Sequence, residues 1–359
     1  MELAYKPDVE KCLERVYAWY EGELLDRPPV RFSRHNAEYE STGGGSGRGW
    51  ATLKDRWFDA EYQIETFIRE SESKRFLAET FPVYWPNLGP HVFAAGFGCP
   101  CAYGEVTAWA EPILHRLPRP EDIPAFDWNE EHIKKLAELT NLALEKAAGR
   151  FLVGYTDMHT GMDWCAALRG TQELLTDFYD DPELLSAFCG AYLDDFFRIF
   201  DYFDAVLKDR GQLSVTWMNI PSPGKLHIPS CDFGAMISGK QFEKFVMPCL
   251  ERECAHMDHN IFHLDGKAVA RHLDAILTLP KLNAVQWVQG VGDDEPILQW
   301  MPLIKKIQAA GKGVVVDLTV KELEPFMEQT APRGIYLCIP TESQEEEEAV
   351  LKRLEAWRA

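Results

Sequence analysis

The sequence predicts a parallel α/β architecture, a closed (β/α)8 TIM barrel preceded by an N-terminal extension. Three observations lead there. Short apolar runs alternate with amphipathic stretches from Glu130 to the end, the pattern of successive right-handed βαβ units. The runs are continuous, as in G-V-V-V-D-L from Gly313 to Leu318, which suits a sheet buried on both faces. No G-x-G-x-x-G follows the first strand of a unit, so an open dinucleotide-binding sheet lacks its phosphate cradle. About seven or eight strands can be counted, close to the number a barrel needs. The chain reads as one domain over 1–359, with the extension and first strands in 1–125 and regular units in 126–359.

The elements follow in order. Pro7 to Gly22 reads as an amphipathic helix because Val9, Leu13, Val16 and Tyr20 recur at helical spacing. The stretch D-R-P-P-V-R-F, Asp26 to Phe32, turns the chain into a short strand. Ser41 to Gly49, S-T-G-G-G-S-G-R-G, is the low-complexity segment. It lacks a G-K-[ST] ending and a strand-to-helix frame, so it reads as a mobile surface loop or lid, not a phosphate cradle. Phe58 to Thr80 looks helical, and Pro82 to Gly104, rich in Pro, Gly and aromatics, looks irregular. Cys99 and Cys101 could bind a metal, but no second pair stands at zinc-finger spacing.

A helix from Glu130 to Gly149 leads to the strand Phe151 to Tyr155, and helices then cover Thr171–Phe178 and Pro182–Lys208. Leu213 to Trp217, L-S-V-T-W, reads as the next strand, and a helix spans Gly239 to Met257. The strand inside N-I-F-H-L-D-G, Asn260 to Gly266, precedes a helix through Leu277. Ala284 to Val288 is a strand, and a helix from Pro296 to Ala310 stops at Gly311, where a C-terminal glycine belongs. Strands at Gly313–Leu318 and Gly334–Cys338 and a helix at Gln344–Trp357 close the chain.

Bulk properties narrow the partners. The net charge of -20 and pI near 4.9 argue against nucleic acid or an anionic membrane surface. No run approaches the ~18 apolar residues of a membrane span, and Met1 leads into E-L-A-Y-K-P-D instead of a basic-then-apolar signal, so a cytoplasmic location is expected. The nine scattered cysteines read as reduced thiols, most of them core residues.

In parallel α/β proteins chemistry collects at the carboxyl ends of strands. His263 and Asp265 stand two apart, so both point to one face of their strand. They suit a metal site or an acid/base pair; the plain alternative is a locally satisfied histidine and a helix-capping aspartate. Other strand ends deliver Asp157 with His159, Trp217 with Asn219, Gln286 with Gln289, then Asp317 and Cys338. Imidazole, carboxylate and thiolate can together hold zinc, and His263, Asp265 and Cys338 form the best set. For Cys338 alone the plain reading is a small buried strand residue. Asp157 and His159 could form an acid/base or a substrate-binding pair. Asp317 is a further catalytic candidate, though hydrogen bonding to neighbouring loops would explain it and Gln286 equally well. Trp217 reads as a pocket wall, with Asn219, Gln286 and Gln289 as substrate contacts. No G-x-S-x-G, H-E-x-x-H or Walker loop occurs.

Two longer segments carry a resemblance. G-M-D-W-C-A-A-L-R-G-T-Q-E-L-L-T-D-F-Y-D-D-P-E-L-L (Gly161 to Leu185) and C-D-F-G-A-M-I-S-G-K-Q-F-E-K-F-V-M-P (Cys231 to Pro248) resemble segments of the uroporphyrinogen decarboxylase superfamily. D-R-P-P-V, H-L-D-G and Cys338 fall where that family places matching elements. The R-Q-A-G-R motif of true decarboxylases is missing, the nearest arginines being Arg27, Arg31 and Arg34, which argues against porphyrin decarboxylation. The chain is more similar to the branch of zinc methyltransferases that exchange a methyl group with a corrinoid protein. The resemblance implies Zn2+ on an H-x-C-G motif plus a later cysteine, here His263, Gly266 and Cys338 with Asp265 in place of the first cysteine. Zinc accepts carboxylate for thiolate. The expected function is therefore a zinc-dependent methyltransferase acting on a small molecule, with a corrinoid protein as partner and a homodimer among the states left open. The alternatives are a metal-free decarboxylase-like lyase using Asp157 and His159, or a non-catalytic corrinoid or small-ligand binder.

Overall fold

The computed structural model describes residues 1–34 and 48–357; most of the glycine-rich segment at 41–49 lies outside the described residues. Among the described residues ten strands are present: β1 Val30–Arg34, β2 Val83–Tyr84, β3 Cys101–Tyr103, β4 Ala108–Ala110, β5 Leu152–Val153, β6 Leu226–His227, β7 His259–Asp265, β8 Ala284–Val288, β9 Gly313–Asp317 and β10 Ile335–Thr341. Six of them form one parallel sheet in the order β1-β10-β9-β8-β7-β6. β2 and β5 make a second parallel pair, and β3 with β4 an antiparallel hairpin.

Period-two alternation divides the core in two. Phe262, Leu264, Val285, Trp287, Val314, Val316, Leu337 and Ile339 face the helices. The residues between them, Ile261, Ala284, Val315, Tyr336 and Cys338, belong to an inner cluster with Val83, Leu152 and Val215. Valines such as Val314 to Val316 are buried on either face, which is why the strand sequences read as continuous apolar runs.

The N-terminal helix Val9–Tyr20 turns its apolar stripe, with Val9, Leu13, Val16 and Tyr20, into the inner cluster. Trp19 Nε1 donates to Gly334 O at 2.9 Å, and its ring lies where a Gly313 side chain would be, 3.0 Å from an added Cβ. Both glycines precede or begin their strands, so this helix covers the amino ends of β9 and β10. The opposite, carboxyl ends carry the polar side chains. Glu79, fully buried, accepts from Arg15 Nη1 (2.6 Å), Arg27 Nη1 (2.7 Å) and Val30 N (2.8 Å), which ties this helix to β1.

The sheet curls, since Arg31 on its edge strand β1 donates from Nη1 to Met218 O at 2.6 Å, beside the other edge. Individual backbone bonds continue between the edges, from Glu79 N to Val30 O (2.9 Å), Gly154 N to Tyr84 O (2.7 Å) and Tyr155 N to Val215 O (3.0 Å). The predicted strand at 213–217 differs: only the Ser214–Ser222 bridge forms there. Asn219 at φ 56° turns the chain back, and Pro221 and Pro223 remove two ladder donors. Among the described residues the regular ladder therefore has six strands where eight were expected.

Helices depart from expectation where glycine or tertiary packing intervenes. The stretch predicted from Pro182 to Lys208 is two helices, Pro182–Cys189 and Leu193–Lys208, separated at Gly190. Gly161–Arg169 is helical although the apolar period did not mark it. The excursion expected at Pro82 to Gly104 contains β2, the short helix Val92–Ala95 and β3. Gly311 stops its helix at φ 73°. Among the described residues no helix is long and apolar enough to cross a membrane. All nine cysteines are free, eight of them buried.

Candidate functional site

β7 brings His263 and Asp265 to the carboxyl end on the inner face, and Gly266, at φ 75°, ends the strand in a conformation that side chains resist. His263 pairs with Gln286 of β8 in register, and its Nδ1 lies 2.7 Å from Gln286 Oε1. An amide oxygen only accepts, so Nδ1 carries the hydrogen, and the neutral tautomer this selects has its lone pair on Nε2. Trp217 meets the ring edge-on, with centroids 5.3 Å apart at 90°.

A cavity of about 300 Å³ opens beside this ring, lined by Trp85, Asp157, His159, Trp217, Ile228, Ser230 and His263. Asp157 and His159 follow β5, with His159 Nε2 3.3 Å from Asp157 Oδ2. Burial alone would drive the His159 proton off, but the Asp157 carboxylate outweighs it and holds the ring up at about 9. Burial would likewise raise Asp157, and the charge and hydrogen bond of His159 reverse this, so its carboxyl lies below the usual range. The metal-free pair is a carboxylate–imidazolium couple inside the cleft.

Asp163, in the first turn of Gly161–Arg169, is buried and accepts from Asp232 N (2.9 Å) and Phe233 N (2.8 Å). These bonds hold the start of the 3₁₀ turn Asp232–Met236 against the cleft. Burial and then repulsion from Asp232 raise Asp163 to about 6. Ligand atoms of Asp232, His263 and Asp265 lie within 4.8 Å of one another, and so do those of His159, Asp163 and Asp232. Asp232 belongs to both groups.

Cys338 stands elsewhere. Its Sγ accepts from Arg31 Nε at 2.9 Å in a second cavity of about 210 Å³, shared with Asp317 and Asn219. Burial pushes the thiol up to about 12 against the pull of Arg31, and burial also raises Asp317. Gln289 Nε2 donates to Asp317 O at 3.0 Å, and Asn219 Oδ1 is buried without a partner. The expected residues thus fall into two compartments. Asp157, His159, Trp217 and His263 line the first, with Gln286 behind His263, while Asn219, Asp317 and Cys338 line the second, with Gln289 behind Asp317. Among the described residues the close ligand grouping joins His263 and Asp265 to Asp232, not to Cys338.

Sequence reasoning had not singled out Asp163, Asp232, Trp85 or Ser230. Asp163 and Asp232 lie inside the two segments that carry the family resemblance, and that was the available signal. Cys99 and Cys101 take no part; their thiols face the carbonyls of Ala167 and Cys99 at 3.8 and 3.9 Å.

No protein-family model matches the chain, and no curated protein matches its sequence. Among solved structures, a methyltransferase from Methanosarcina mazei is similar over 97% of this chain and 99% of its own, with TM-score 0.63 and 14% identity. The homocysteine methyltransferase MmuM from Escherichia coli, in a metallated form, aligns over 92% and 96% at 13% identity, with a TM-score of 0.29 that is too low to carry an argument. At this identity the first likeness establishes the fold: the chain shares the mixed α/β architecture of the Methanosarcina mazei protein along nearly its whole length.

Proposed function

We propose that the chain is a zinc-dependent methyltransferase on a closed (β/α)8 barrel, with Asp232, His263 and Asp265 as the metal ligands. The observation that carries this reading is the grouping of a His263 ring nitrogen with carboxylate oxygens of Asp232 and Asp265 within 4.8 Å of one another, on a ring whose Nδ1 is held by Gln286. Imidazole with two carboxylates is a donor set that zinc accepts, and a histidine oriented by an outer partner is the usual arrangement around such ions. When bound, the metal would lower the pKa of a thiol or water in the cleft. The full-length fold likeness to a methyltransferase supports the reaction class. A corrinoid protein or a methylated small molecule is the donor that the superfamily resemblance supports.

The chain's own residues have distinct tasks. Trp85, Trp217 and Ile228 wall the cleft with apolar surface. Gln286 Oε1 fixes the His263 tautomer. His159 holds a proton at Nε2 against Asp157 Oδ2, placing a positive charge where an anionic group of the substrate would enter. That same pair is the one observation favouring a metal-free lyase, in which His159 would deliver its proton to a carbanion-like centre.

Elemental analysis of wild type, His263→Ala and Cys338→Ala separates the readings. Bound zinc in wild type, with one equivalent fewer in His263→Ala, supports the methyltransferase; an unchanged zinc content in Cys338→Ala assigns the three-residue ligand set. No metal in any form, with activity abolished by Asp157→Asn, moves the function to the lyase.

A further inference from the structure

We infer that the cleft is built for two divalent cations, bridged by the carboxylate of Asp232. The inference rests on the metal reading above and extends it to a second ion held by His159, Asp163 and Asp232. The two candidate ligand groups share Asp232, and each adds one histidine and one further aspartate. A carboxylate has two oxygens and can give one to each ion, as in two-metal sites with ions about 3.5–4 Å apart.

A second, independent feature points the same way. Each histidine has one ring nitrogen engaged by an outer partner. For His263 it is Nδ1, at 2.7 Å from Gln286; for His159 it is Nε2, at 3.3 Å from Asp157. Each ring therefore keeps one nitrogen for an ion, and the Asp157–His159 pair becomes the carboxylate–histidine–metal arrangement that orients ligands. The burial of Asp163 adds to this. It is 7% exposed and, among the described residues, no lysine or arginine pairs with Asp163, Asp232 or Asp265. Asp163, the buried one of the three, is the carboxylate for which a compensating positive charge matters most. The carboxylate and imidazole donors suit zinc, manganese or cobalt. The ligand class that fits such a pair is a small molecule whose anionic oxygen or sulfur spans both ions.

The test is equilibrium dialysis of the full chain against Zn2+, with metal counted by mass spectrometry, and Mn2+ loading followed by electron paramagnetic resonance. Two equivalents in wild type are expected, falling to one in His159→Ala and one in His263→Ala. Asp232→Asn, at an exposed position, is expected to lose the second equivalent and weaken the first. Two Mn2+ ions sharing Asp232 are expected to give a spin-coupled spectrum that becomes that of an isolated ion in His159→Ala. One equivalent in wild type, unchanged in His159→Ala and lost in His263→Ala, overturns the second ion and leaves the zinc reading standing. No equivalent in wild type overturns both. Asp163→Gln serves as a second variant for the new site, with thermal melting to show that the chain remains folded.

Discussion

Replacing Gln286 by leucine removes the hydrogen bond that sets which nitrogen of His263 is free. Gln286 is 4% exposed, faces His263 across the β7–β8 ladder and holds its Nδ1 at 2.7 Å. Leucine fills a similar volume, so packing is largely kept. What is lost is the preference for the tautomer with a bare Nε2, together with the ring's fixed angle. Outer partners of this kind are worth about 10- to 100-fold in metal affinity, or about 1.4–2.8 kcal/mol. The stability lost with one neutral hydrogen bond is smaller, about 1 kcal/mol. Zinc affinity measured by competition with a chromophoric chelator should fall by about that factor, while metal-free melting changes little. Gln286→Glu, which keeps an acceptor and adds charge, should bind zinc at least as tightly as wild type. An affinity for Gln286→Leu within about twofold of wild type would refute the claim that this bond prepares a ligand.

Three further predictions concern the scaffold around the cleft. Glu79→Ala leaves Arg15 and Arg27 without their shared buried carboxylate and should cost about 3–5 kcal/mol, read as a lower urea midpoint. Gly154→Ala would put a Cβ 2.5 Å from Val215 O; backbone must move, at about 1–3 kcal/mol, and both melting and zinc binding should suffer because Asp157 and Trp217 flank that contact. In metal-free protein, NMR titration should find His159 near 9, raised from 6.5 by Asp157 against the opposing effect of burial. Its folded pKa is raised, so its contribution to stability is complete below about 6.5 and is lost as pH climbs through about 9; Asp157→Asn should bring the titration back down.

The local signals that survive in this sequence are those of elements whose surroundings are uniform. β8 and β9 are buried on both faces and read directly as apolar runs. The N-terminal helix presents its stripe to the inner cluster, so its period was plain. The pairing of His263 with Asp265 on one face needed nothing beyond the two-residue repeat of a strand. What tertiary structure decided is different in kind. Whether 213–217 joins the ladder depends on the turn at Asn219 and the prolines behind it, a competition that apolar composition does not report. That Cys338 lies beside Arg31 and Asp317 while Asp232 lies beside His263 depends on how the sheet curls. Asp232 and Asp163 are about 70 residues apart, and Asp163 shows its role only through the backbone amides it holds. Residue type and spacing nominate ligands within one strand; only the closing of distant loops over the strand ends selects which of them meet.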